Sequence, residues 1–475
     1  MKTMRSRALL AISLSLVAAA GLLAGCSGRD INGLDETATA RVEPLVFDET
    51  FGDDVYFQAF SGTYLKAVSI DSVAAHDNLL YAHDSYQSLK VVVPGENSAL
   101  GAYAGGVLTS VAPRDLTGFN ALTFWARSSV LSQLNEAGFA NDNTGTSLYS
   151  AGRSAIPLTM AWTYVVVPIP SPQKIIAERG LFTFAEGFEA NNRTGHTLWF
   201  DDIKYQNLAN VVRVSAQMPS VNKQYLVGSN ATIEGTTTTF TVDGANVTVN
   251  HMPTYFDFTS SNPAVAVVEG RRIRVVGAGV DTITAKLDTL TVQGRVIITS
   301  FTPPAAAAPA PTVPAADVIS LYSDTYGNWT VDSWNPHWTY STTQNETYVL
   351  NDNANIMYTT FNFVGIEFRN HPIDAGAMTH LHLDVYAPQG GEFQVKLVNF
   401  GGVNGSMNGQ VGLSFNATTT PAFSSGGWCQ LEIPMSAFVF PAGVTPTRLG
   451  QLVLSTPDGD NATPLVLVDN IYWHR

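Results

Sequence analysis

Hydrophobic and polar positions alternate along this chain in short runs. Ala121-Leu-Thr-Phe-Trp-Ala126, Trp162-Thr-Tyr-Val-Val-Val-Pro168 and Phe393-Gln-Val-Lys-Leu-Val398 are typical. Such runs are rich in Val, Ile, Thr, Phe and Tyr and are separated by Gly, Pro, Asn and Asp, as in half-buried strands joined by turns. No long 3.6-residue period follows the first two dozen residues. The pattern predicts an all-β chain.

The N-terminus is the exception. Lys2, Arg5 and Arg7 precede an apolar run from Ala8 to Leu23 that closes on Leu23-Ala24-Gly25-Cys26. A positive start, an apolar stretch and small residues mark an export signal, to be left out of the fold. Leu-Ala-Gly-Cys resembles the bacterial lipobox, which implies that Cys26 is lipidated and becomes the new N-terminus. An ordinary signal peptide or a short membrane anchor is the alternative. Several acyl chains would anchor the protein stably. Ser27 after the cysteine implies, by the same resemblance, a surface-exposed lipoprotein of the outer membrane. Cys429 is the only other cysteine, so with Cys26 lipidated no intramolecular disulfide is available.

Six segments follow: the export signal 1–25, a small and polar tether 26–43, a β-sandwich 44–208, a middle domain 209–300, a linker 301–316 and a second β-sandwich 317–475. The linker contains TPPAAAAPAPTVPAA, whose Pro/Ala bias predicts an extended, semi-rigid spacer that leaves the last module free to search. The two sandwich segments match one another. DLTGFNALTFWA from Asp115 aligns with DAGAMTHLHLDV from Asp374, and WTYVVVPIP from Trp162 with WCQLEIPMS from Trp428. LWFDDIKY from Leu198 aligns with VLVDNIYW from Val466, which sets Asp201 opposite Asp469. The expectation is two copies of one module around a different middle domain.

These motifs carry a resemblance. LTFWA, the Trp-to-Pro spacing and WFDDIKY resemble the jelly-roll carbohydrate-binding modules attached to bacterial polysaccharide-degrading enzymes. FDFTSSNPAVAVVEG and VVGAGVDTITAKL, in the middle segment, resemble the bacterial Ig-like group 2 domain. The last segment, with GIEFRNHPIDAGAMTHLHLDVY, resembles modules found beside family 16 laminarinases, and surface lipoproteins that capture such glucans. The implied architecture is two jelly-roll sandwiches flanking a smaller Ig-like one. The implied ligand is a neutral polysaccharide, β-1,3-glucan (laminarin) first. A TonB-dependent transporter and a surface endoglucanase are the partners implied. Modules of this kind often hold a structural Ca²⁺ between first and last strands, and Glu49 with Asp201, or Asp324 with Asp469, would supply the oxygen ligands.

Charge narrows the field. Charged residues make up 13% of the chain and the formal net charge is −14, whereas a nucleic-acid binder needs a basic footprint. The same balance disfavours an acidic polysaccharide. No catalytic run stands out: E-x-D-x-x-E, G-x-S-x-G and H-E-x-x-H are all missing, and the His76-Asp77 and His83-Asp84 pairs lack a nucleophile at a defensible spacing. No catalytic residue and no catalytic cofactor is assigned.

Sugar-binding sites join flat aromatic rings to polar side chains. Three of the eight tryptophans, Trp329, Trp334 and Trp338, crowd one segment broken by Asn328, Asp332, Asn335, Pro336 and His337, so a loop platform is expected, with Tyr340 continuing it. Lys396 and Gln394 face away from Phe393, Val395 and Leu397, and would meet sugar hydroxyls. Glu367, Arg369 and Asn370 are weaker candidates. Trp162 and Trp428 read as scaffold. Trp125 and Trp199 point off the core face and either line a second sugar site or pack against a neighbour. Three functions therefore stand: non-catalytic glycan capture, a glycan-active enzyme with an unrecognised site, and a structural envelope adhesin.

Overall fold

The computed structural model describes residues 40–62, 67–72, 83, 85–190, 193–457 and 463–475. The export signal, Cys26 and most of the tether lie outside them. The described residues form strands and short 3-10 turns, with no α-helix among them. They divide into two compact units. One holds the described residues up to Val214 together with Thr239–His251; the other holds Ser215–Thr238 and Met252–Arg475.

The first unit is a β-sandwich. One sheet runs Val68–Ser72, Gln87–Pro94, Gly195–Gln206, Ala121–Ser128, Thr163–Pro168, and Leu45–Phe47 joins it on Gly195–Gln206. The facing sheet runs Val55–Ala59, Tyr103–Arg114, Glu178–Gly187, Ser132–Phe139, Ala151–Leu158. Leu122, Phe124, Phe182, Phe184, Leu198 and Phe200 point inward and are fully buried. The strand Ala245–His251 extends this second sheet, with His251 opposite Ala151. The middle segment, expected as one Ig-like domain, is thus divided. Its hairpin satisfies the edge of Ala151–Leu158, where unpaired backbone groups need partners.

In the second unit, Val221–Leu226, Val296–Phe301, Gly279–Leu287 and Asp257–Ser260 form one small sheet; Asn230–Thr232, Arg272–Val275 and Ala266–Glu269 form another. The Ser-Ser-Asn motif has a physical role here. Ser260 Oγ, Ser261 Oγ and the Asn262 N–H all donate to the buried Asp281 carboxylate at 2.7–2.9 Å.

The C-terminal sandwich repeats the topology of the first. Gln344–Leu350, Asn353–Thr359, Leu465–His474, His380–Tyr386 and Trp428–Pro434 form one sheet, with Val318–Tyr322 paired on Leu465–His474. Phe363–Glu367, Leu449–Ser455, Glu392–Asn399 and Gly409–Asn416 form the other. The repeated Asp-Asp/Asn motif is a β-bulge in the last strand of each copy. Asp202 and Asn470 take left-handed φ of 50° and 48°, and each donates its N–H to the preceding aspartate, at 2.8 and 2.7 Å. The extra residue re-phases the strand, so Phe200 and Ile203, like Val468 and Ile471, all point into a core.

The Pro/Ala linker departs from the expectation. It is strapped to the C-terminal module: Tyr386 Oη donates to Thr302 O, Trp428 Nε1 to Ala306 O and Asn470 Nδ2 to Pro309 O, at 2.7–3.2 Å. Tyr386, Leu465 and Leu467 share a buried cluster with Tyr225, Leu226 and Ile298. The module's sheet face is therefore covered within its own unit, and the free search expected of a loose spacer is not available to it.

At the start of the first unit, Arg114 is 1% exposed and its guanidinium donates to Glu43 O, Leu45 O, Asp53 O and Asp54 Oδ1. Arg114→Met takes the donor from those acceptors and leaves Asp54 to Arg41 and the Ala112 N–H. We expect a loss of about 3 kcal/mol, read as a lower urea midpoint for the first unit.

Candidate functional site

In the C-terminal sandwich, alternation sends Val364, Ile366, Val395, Leu397, Leu452 and Leu454 inward. The opposite face of that four-stranded sheet is left with Gly365, Glu367, Gln394, Lys396, Gln451, Val453 and Ser455. A groove of about 360 Å³ lies along it, lined by Trp338, Asn362, Phe363, Lys396, Val398, Met407, Gln410, Gln451, Val453, Ser455 and Thr456. Ligand clefts of a few hundred Å³ with an apolar floor and few polar groups are the usual form of a small binding site.

Trp338 forms one wall. Its ring packs on Val398, Phe400 and Val453. It also lies where a Cβ on residue 365 would be, so only glycine fits there. The indole is fixed edge-on as well, because Trp338 Nε1 donates to Glu367 Oε1 at 3.1 Å and Gln451 Nε2 donates to the same oxygen at 3.1 Å. Glu367 thus orients a ring and an amide. Gln394 is held by Ser414 and Ser455, through Nε2 and Oε1. The aliphatic stem of Lys396 lies against the open face of Gly412. Rigid aromatic and amide groups with one cation can stack on a sugar ring and bond its hydroxyls.

The crowded tryptophans separate. Trp338 lines the groove. Trp334 packs against the core and meets Tyr322 edge-on at 5.5 Å, so its ring closes the sandwich. Trp329 is 44% exposed, its Nε1 tied to His371 O at 2.6 Å. Tyr340 is 88% exposed, and its carbonyl accepts from Asn362 Nδ2, so it stands beside the groove. Arg369 is elsewhere: its guanidinium covers Phe400 at 4.7 Å and donates to Gly405 O. The Asn370 N–H bonds Asp332. Sequence reasoning missed Gln410, Gln451, Val453, Ser455 and Met407. Neutral amides, hydroxyls and aliphatics carry no local signal, and these come from two strands and a loop.

In the first unit, Trp125 and Trp199 do share the outward face, but both rings are engaged. His83 stacks on Trp125 at 3.8 Å. Trp199 is 6% exposed, under the Arg127 guanidinium at 4.9 Å, with Nε1 donating to Asp71 Oδ2. Arg127 also reaches Trp162, 6.0 Å away.

The two acidic pairs differ in their fit to a cation. Asp201 accepts from the His83 and Asp202 N–H groups and from Ser85 Oγ, and Glu49 accepts from the Tyr86 N–H. Those donors suit a carboxylate that caps a turn. Burial pushes the Asp201 carboxyl up to about 7. In the C-terminal module, Asp469 Oδ2, Asp384 Oδ1 and Asn353 Oδ1 are buried acceptors without a donor. Burial, with Asp384 and Asp324 nearby, pushes the Asp469 carboxyl up to about 6. Orphaned oxygens of this kind fit a hard cation.

No protein-family model and no curated protein matches the chain. Several solved structures are similar to it. The family 11 carbohydrate-binding module of cellulosomal cellulase Lic26A-Cel5E from Clostridium thermocellum is 14% identical, covering 29% of this chain and 84% of its own, with a TM-score of 0.23. A family 30 module of Cel9D-Cel44B from the same organism is 16% identical, over 36% of this chain and 97% of its own, at 0.23. The CBM22-1-CBM22-2 tandem of Paenibacillus barcinonensis Xyn10C is 14% identical, over 92% of this chain and 98% of its own, also at 0.23. By its own strand order the described chain is an all-β protein of two-sheet sandwiches. At these TM-scores its ligand has to be argued from the groove itself.

Gly365→Ala places a methyl group inside the Trp338 ring. We expect the indole to be displaced, with a shift in tryptophan fluorescence and a stability loss of about 1–3 kcal/mol in denaturant titration.

Proposed function

We propose that this protein captures a neutral polysaccharide at the cell surface without cleaving it, with β-1,3-glucan of the laminarin type as ligand. The observation that carries the reading is the groove over the C-terminal sheet, where Trp338, Gln410, Gln451 and Lys396 converge. Glu367, the acid beside it, is already bonded to Trp338 and Gln451. Hydrolysis needs two carboxyl groups facing each other across the bond, and among the described residues the groove lining supplies none. Lipidation at Cys26 would hold the protein to the outer membrane, beside a TonB-dependent transporter and an endoglucanase that take over the captured chain.

Isothermal titration with laminarin tests the reading. Saturable heat is expected from the full chain, and Trp338→Ala with Lys396→Ala should weaken binding about 10–100-fold, the equivalent of one or two lost contacts. Heat that survives the double substitution would move the site to the first unit. Absence of heat would end the laminarin assignment. New reducing ends after incubation would favour the enzyme instead.

The Asp469 cluster would hold a structural Ca²⁺, with Asp324, Asn353 and Asp384 as further oxygen donors. Asp469 is protonated in the fold and ionised in the unfolded chain between roughly pH 4 and its folded value of about 6. Its contribution therefore falls as pH rises through that window, and a bound cation would replace the lost proton. Calcium at millimolar concentration should raise Tm by about 5 °C at pH 7 and by less at pH 5. Asp469→Asn should abolish that response; an equal rise in the variant would show that calcium acts elsewhere.

A further inference from the structure

A second cluster of ligating side chains lies on the sheet that the groove does not use. The strand His380–Tyr386 runs between Trp428–Pro434 and Leu465–His474. His380 is directly opposite His474 on one side, and His382 opposite Glu432 on the other. Residues two apart on a strand share a face, so three adjacent strands present His380, His382, Glu432 and His474 together. Ligand atoms of His380, Glu432 and His474 all lie within 4.8 Å of one another. The His380 and His474 rings are nearly parallel, with centroids 5.3 Å apart.

The bonding of the ring nitrogens makes this more than a chance grouping. His474 Nδ1 is 3.0 Å from Arg475 O, and a backbone carbonyl only accepts, so Nδ1 carries the proton. The neutral ring then offers a lone pair at Nε2, yet Nε2 faces Glu432 Oε1 at 2.5 Å. A contact that short holds a proton between the two atoms; a metal ion bound by both would displace that proton and spread them to about 3.3 Å. His380 Nδ1 is occupied by Thr379 Oγ1 at 2.9 Å, which leaves its Nε2 available. His382 Nδ1 lies 2.7 Å from the other carboxylate oxygen, Glu432 Oε2, and orients that carboxylate from behind. Ligating histidines bonded through their second nitrogen to a carbonyl or hydroxyl, and a ligating carboxylate held by an outer group, are the recurring pattern of transition-metal sites.

We propose that His380, Glu432 and His474 bind a borderline divalent cation, Zn²⁺ in the first instance, with His382 as a positioning residue. Two imidazoles and one carboxylate suit zinc and its neighbours rather than calcium, which takes oxygen ligands throughout. The Glu432 side chain is 43% exposed, so the ion has a path from solvent and water would complete its coordination. The ion would tie the central strand to both neighbours near the end of the sheet. This site lies apart from the glycan groove, and it adjoins the Asp469 cluster through His382, whose Nε2 is 3.6 Å from Asp384 Oδ2.

The test is titration of the EDTA-stripped full chain with Co²⁺, followed by visible absorption, and then by Zn²⁺ displacement. One equivalent is expected, with the strong visible bands of a low-coordinate site, released by Zn²⁺ and not by Ca²⁺. His380→Asn and His474→Ala should each remove saturation at one equivalent. His382→Gln should keep it and weaken binding about 10–100-fold. His371→Ala, at a surface histidine paired with Asp332, should leave it unchanged. Circular dichroism checks each fold; if His474→Ala fails to fold, the half-buried His380→Asn decides. No saturation in the wild type, saturation that survives His380→Asn, or displacement by Ca²⁺ would each overturn the proposal.

Discussion

Both sandwiches depend on one buried carboxylate each, at the bulge of the last strand. Asp201 and Asp469 are fully buried, and each fixes the left-handed residue that follows it by accepting its N–H. Such a conformation is tolerated by Asp and Asn better than by most residues. The bulge moves the alternation by one, which turns Ile203 and Tyr205, or Ile471 and Trp473, toward the core they would otherwise leave. It also shapes the point where the first strand joins, at Phe47 against Ile203 and Tyr322 against Ile471. Take away the carboxylate and the sheet loses its phase, with the first strand's seat and the inner packing together.

The two copies then use the same outward face differently. Trp199 opposite Arg127 in the first corresponds to Leu467 opposite Tyr386 in the second. The aromatic and cationic pair closes on itself, with Asp71 and His83 completing the cover. The aliphatic and phenolic pair instead receives Tyr225, Leu226 and Ile298 of the small sheet and the Pro/Ala segment. In the second copy, therefore, the other sheet is the face on which an open groove remains.

Much of this was legible beforehand, because alternation and the repeat are local signals. The strands and the outward direction of Gln394 and Lys396 follow from period two, and the two matching sandwiches from the repeated motifs. The tryptophan cluster was harder, since spacings of five and four do not reveal which ring turns inward. Tyr322 takes Trp334 into the core and Gly365 makes room for Trp338, and both partners lie outside the cluster. The calcium candidates matched in sequence, but only the surrounding donors distinguish satisfied Asp201 from Asp469. His380, Glu432 and His474 meet through strand order, which spacing along the chain does not encode. The Pro/Ala bias read as looseness because composition reports backbone stiffness and says nothing of side chains that reach in from elsewhere.

That last segment has a consequence for how the chain can change over evolutionary time. Proline offers no N–H and needs no acceptor, so a Pro/Ala strand lies on a surface with fewer backbone donors to satisfy than an ordinary one. Three donors fixed on the module claim the carbonyls of residues 302, 306 and 309. Exchanges among small residues between those points would pass unnoticed, whereas one inserted or deleted residue would put a carbonyl out of step with its donor. Selection on this stretch would act on its length more than on its spelling, so outside the buried Pro304 and Ala308 it would tolerate substitution far better than indels.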